Sequence, residues 1–90
     1  MTMIMKTKAA LEQRIRGAME SSIWWSVRAF KNNNMMLAVA EMHTATEMAR
    51  LVLDDRFLEV AQEQCSIAEV SYHEWFKKTW DAYNEALSKE

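Results

Sequence analysis

Proline is absent from all ninety residues, and Gly17 is the single glycine. Strand hairpins, phosphate-cradling loops and the strained turns that present a nucleophile all depend on those two residue types. A chain without them is left with long helices joined by short polar turns, so the expected fold class is all-α. The same absence removes most catalytic motifs, and the chain is expected not to be an enzyme. Lone Cys65 excludes an intramolecular disulfide and a paired-cysteine metal knuckle, and it points to the cytoplasm. No stretch has the length and apolarity of a membrane span. Met1 to Met5 is too short for a signal-peptide core, and Lys6 and Lys8 follow it rather than lead it.

Hydrophobic spacing predicts a single domain over residues 1–90 with helices at about 8–31, 35–53 and 55–88. In the first, Leu11, Ile15, Ala18, Ser22, Trp25 and Ala29 recur at helical spacing, with Met19, Ile23, Ser26 and Phe30 beside them. Asn32-Asn33-Asn34 interrupts the pattern; asparagine tolerates the left-handed conformation that ends one helix and caps the start of the next. The second helix is apolar over most of its circumference, with a stripe of Ala38, Met42, Ala45, Ala49 and Val52, and is expected at the centre of the fold or in an oligomer interface.

Asp54-Asp55 is the second expected interruption, because the apolar stripe changes phase there and either aspartate can cap a helix. Beyond it Leu58, Ala61, Cys65, Ala68, Tyr72, Trp75, Thr79, Ala82 and Ala86 hold one alternation to the end of the chain. The reading is a helical hairpin followed by a longer third helix. The aromatic end of that helix, Trp75 to Tyr83, then needs a partner: either the N-terminal segment folds along it or another subunit does. Half of the residues are apolar or aromatic, which a core of this size hides only in part. A homodimeric helical bundle is the expectation, with Met42, Ala45, Ala49, Tyr72, Phe76 and Tyr83 at its core or interface.

Charge is uneven along the chain. Residues 1–31 carry six basic and two acidic side chains, net +4, whereas residues 32–90 carry five basic and eleven acidic ones, net −6. The ordinary explanation is mutual attraction between the two ends; the functional one is a basic face for a polyanion. Trp24 follows the same division. If Trp25 belongs to the core stripe, Trp24 points elsewhere, toward Arg28, Lys31 and Arg14. That grouping suits a protein interface, intramolecular packing of Arg28 over the indole, or stacking on a nucleic-acid base.

Other polar groups read as structural. His43 with Glu47, and Glu69 with His73, share a helical face at four-residue spacing, but exposed intrahelical pairing explains them and no metal or cofactor is assigned. Glu41 lies in the apolar arc of the second helix, where burial would demand a basic partner such as Arg14 or Arg16. Cys65 falls on a core stripe and reads as inert.

The function these features imply is non-catalytic. The chain reads as a small interaction module that regulates or inhibits a larger protein through helix faces, of the kind carried by phages and mobile elements. Partner-binding residues are expected among Trp24, Arg28, Lys31, Arg14, Trp75 and Trp80. The alternative is a nucleic-acid-binding accessory protein using Lys6, Lys8, Arg14, Arg28 and Lys31.

Overall fold

The computed structural model of the chain describes residues 2–52 and 56–89, with side chains described from residue 8 onward. Its elements are α1 (Thr2–Lys31), α2 (Met35–Leu51), α3 (Phe57–Ile67) and α4 (Tyr72–Ser88), with no strand among the described residues. The fold is all-α, and the expected three helices are corrected to four among the described residues. Asp54 and Asp55, where the second hinge was placed, lie outside the described residues; α2 ends before them and α3 begins after them.

The turns after α1 and α3 close in the same way. Asn33 takes a left-handed φ of 62°. Its N–H donates to the Phe30 carbonyl at 3.1 Å, and the Asn34 N–H donates to the Ala29 carbonyl at 2.8 Å. This Schellman pairing satisfies two carbonyls that the end of α1 would leave open. Asn34 Oδ1 then accepts the Leu37 N–H at 3.2 Å and starts α2.

The second such turn is what splits the expected third helix. Glu69 takes a φ of 58°; its N–H donates to Ser66 O at 3.2 Å and the Val70 N–H donates to Cys65 O at 2.8 Å. Ser71 Oγ accepts the Glu74 N–H at 3.3 Å and opens α4. A glutamate thus occupies the position that glycine normally fills. Left-handed backbone costs a residue with a Cβ about 1–2 kcal/mol, partly offset by the greater freedom glycine has when unfolded. Glu69→Gly is therefore expected to stabilise the fold by about 0.5–1 kcal/mol, seen as a higher urea midpoint. A lower midpoint would mean that the Glu69 side chain contributes something the backbone argument omits.

Helix directions follow from the polar contacts between elements. Ser26 Oγ donates to Ala38 O at 2.6 Å across the antiparallel α1–α2 hairpin. α3 lies along α1 in the same direction: Arg56 pairs with Glu20 at 3.1 Å, Arg28 reaches Gln64, and Lys31 reaches Ala68. The turn at Glu69 reverses the chain, and α4 packs on α2 and α3. Its Tyr83 ring stacks on His43 of α2 with centroids 4.5 Å apart. The whole measures 47 × 34 × 18 Å, so it is thin in one direction.

Small residues make the close packing possible. Four of the five residues of the expected stripe, Ala38, Met42, Ala45 and Ala49, are the buried residues of α2; the fifth, Val52, caps the helix and is half-buried. Met42, Ala45 and Ala49 meet Met19, Ile23 and Val27 of α1, Val60, Ala61, Cys65 and Ala68 of α3, and Trp75 of α4 in one core. Gly17 needs no close approach: a Cβ built there would meet nothing within 4 Å. No described helix is long and apolar enough to cross a membrane.

Candidate functional site

Successive residues of an α-helix point about 100° apart, so the stripe that α1 buries decides where its tryptophans go. The buried series is Met19, Ser22, Ile23, Ser26, Val27 and Ala29. Trp25, expected on this stripe, is instead 52% exposed and Trp24 is 37% exposed. Val27 takes the place assigned to Trp25, because α1 is covered from two sides, by α2 and by α3, and the centre of its buried arc shifts accordingly. The two indoles leave the core together. They pack edge to face, with centroids 4.8 Å apart and planes at 80°, the arrangement favoured by the ring quadrupoles.

Arg28 completes the group. Its guanidinium lies 4.0 Å from the centre of the Trp24 ring, and Nη1 donates to Gln64 Oε1 at 3.2 Å and Trp24 O at 3.4 Å. Lys31 is engaged elsewhere, donating from Nζ to Ala68 O at 2.6 Å. That carbonyl is an open acceptor at the end of α3, where a cation is also favoured by the helix dipole. Arg14 is exposed and sits fourteen residues before Arg28, about 21 Å along the same helix. The expected basic grouping is therefore divided: Arg28 joins Trp24, Lys31 caps α3, and Arg14 lies apart.

Trp75 was expected at the partner surface and is corrected: it is wholly buried. Its Nε1–H donates to Ser26 Oγ at 3.0 Å, joining α4 to the α1–α2 hairpin through one hydroxyl. Thr79, also buried, donates its hydroxyl to Trp75 O at 2.6 Å. The reason is the turn at Glu69, which brings α4 back so that the same chain covers it. Trp80 remains 41% exposed, stacked on Phe76 at 5.9 Å. Met42, Ala45 and Ala49 are core residues of the single chain, and Tyr72, Phe76 and Tyr83 pack half-buried against them.

The remaining polar candidates separate. Glu41 is half-exposed and has no ion pair among the described residues; Arg16, one of its expected partners, pairs with Glu12 at 3.9 Å. Glu47 pairs with Arg50 at 3.0 Å while His43 stacks on Tyr83. Glu69 lies in the turn itself and His73 on α4, so the two do not share a helical face. No group of three or more His, Cys, Asp or Glu able to hold a metal ion occurs among the described residues.

Cys65 is 1% exposed, and burial pushes its thiol from the ordinary 9.0 up to about 11. Burial, with Cys65 adding to it, also raises the Tyr72 hydroxyl. Because the unfolded thiol ionises first, the contribution from Cys65 is complete below pH 9.0 and is lost as pH rises toward about 11. Denaturant midpoints should therefore fall across that window. In Cys65→Ala the fall should be shallower, leaving the part due to Tyr72; an unchanged pH profile would contradict the assignment.

The described residues define a class by fold and surface: an all-α arrangement of four helices whose most exposed aromatic grouping is a tryptophan pair with a guanidinium over it. No protein-family model, curated protein or solved structure matches the chain.

Proposed function

We propose that the chain is a non-catalytic protein–protein interaction module that regulates or inhibits a larger protein, with Trp24, Trp25 and Arg28 as its central contact. The observation that carries this reading is the exposure of two adjacent tryptophans beside an ordered arginine. Leaving indole in water forfeits the gain of burial, and tryptophan and arginine are the residues enriched where binding energy concentrates. Arg28 is already held by Gln64 and Trp24, so little side-chain freedom is left to lose on binding.

The same contacts weigh against the nucleic-acid alternative. Lys31 and Arg28, two of its five cations, are occupied within the chain, and Arg14 lies about 21 Å from Arg28.

Affinity capture from the native cell, with the chain and its Trp24→Ala/Trp25→Ala variant as parallel baits, tests the proposal. A protein retained by the first and lost by the second is expected, with affinity reduced about 30-fold or more if the pair is a hot spot. Equal retention by a correctly folded variant rejects the assigned surface. Binding to DNA or RNA that weakens with salt and with Arg28→Ala would favour the alternative instead.

A further inference from the structure

α1 is longer than what covers it. Thirty residues give it a length of about 45 Å, against about 25 Å for the 17 residues of α2. The Ser26–Ala38 hydrogen bond fixes their register, so Leu51 at the end of α2 comes level with about Gln13. The start of α3 is held back further, at Glu20, by the Arg56 ion pair. The part of α1 up to Arg14 therefore runs at or past the ends of both neighbours. No side chain from Lys8 to Arg14 is buried, Leu11 is 56% exposed, and Leu51 beside this end is 73% exposed. A helical extension of this length, about 13 residues, is marginal in water without packing.

The chain carries a face suited to cover it. On the outer side of α3, Glu59, Gln62 and Glu63 are exposed, with Leu58, 49% exposed, at one edge of this face; Ile67, nine residues on, falls on the opposite flank. The charged residues of α3 itself are Glu59 and Glu63, both acidic and both on this face. The extension offers the complement, with Leu11 between exposed Lys8 and Arg14. Two extensions laid side by side would bring Lys8 and Arg14 of both copies together, which is unfavourable.

We propose that this surface takes a second copy of the chain in a reciprocal arrangement, the α1 extension of each copy lying along the outer face of α3 in the other. One two-fold axis relates both contacts, so the assembly closes at two chains. A strip as long as α3, about 16 Å, and about 10 Å wide, buried on both surfaces and repeated by symmetry, removes about 650 Å² from water. That is below the range of about 1,200–2,000 Å² of stable interfaces, so the dimer is weak and sensitive to salt. The surface is separate from Trp24 and Trp25 and does not depend on their role.

Charge reversal tests the geometry. One variant carries Lys8→Glu and Arg14→Glu; a second carries Glu59→Lys and Glu63→Lys. Sedimentation velocity over a concentration series should show the native chain dimerising, more weakly as salt is raised, and each variant alone weakened about tenfold or more. Mixing the two variants should restore dimerisation, because every contact in the mixed dimer then joins opposite charges. A native chain that stays monomeric overturns the dimer. A dimer that both variants keep, or weakened variants that mixing fails to rescue, overturns the reciprocal α1–α3 contact. Circular dichroism of each variant establishes that helix content is retained.

Discussion

Trp75→Ala is expected to remove about 3–5 kcal/mol of stability, the largest loss from any single truncation in this core. Trp75 is wholly buried and is the largest side chain so placed. It is also where α4 meets both helices of the α1–α2 hairpin, through Ser26 and the carbonyl that Ser26 bonds. A chain of ninety residues has a total stability of about 5–13 kcal/mol, so the loss takes about a quarter or more of it. Urea unfolding followed by circular dichroism measures it. Trp75→Phe keeps most of the ring volume and should lose considerably less. An alanine variant within about 1 kcal/mol of the parent would mean that α4 is not held by this contact.

Ser26→Ala is expected to cost about 1–3 kcal/mol, although it removes one oxygen atom. That oxygen accepts the Trp75 N–H at 3.0 Å and its own hydrogen goes to Ala38 O at 2.6 Å. Its removal leaves the indole N–H without an acceptor in a site closed to water, and an unpaired buried donor costs more than a paired one contributes. The diagnostic is a double-mutant cycle. In the Trp75→Phe background no indole N–H remains to be stranded, so Ser26→Ala should cost about 1 kcal/mol less there. Equal costs in both backgrounds would show that the Ser26–Trp75 bond contributes nothing of its own.

The helical class, the hairpin at Asn32-Asn33-Asn34 and the alanine stripe of α2 were legible in the sequence, each for a local reason. Proline and glycine are lacking, asparagine suits both sides of a helix junction, and small residues recur at helical spacing. The break at Glu69 was not legible because the apolar alternation runs straight through it: Ala61, Cys65 and Ala68 before the turn and Trp75 and Thr79 after it are all buried. The signal present was Ser71 three residues ahead of Glu74, the pattern of a helix start. Missing it made the third helix too long to cover and sent Trp75 to an imagined partner.

The candidate site was legible in part. Trp24 and Arg28 were paired correctly, as helix neighbours four apart. Trp25 was misplaced because a stripe through Leu11, Ala18 and Trp25 and one through Met19, Ile23 and Val27 both satisfy helical spacing. Which of them is buried depends on where α2 and α3 lie, and that is tertiary information.

The uneven cover of α1 gives one unbroken helix two lifetimes. Its amide hydrogens near Ile23 and Val27 can exchange with solvent only when the core opens, whereas those near Leu11 exchange by local fraying. Any ligand that seats on the extension would lengthen the second lifetime toward the first, without altering a single bond in the core.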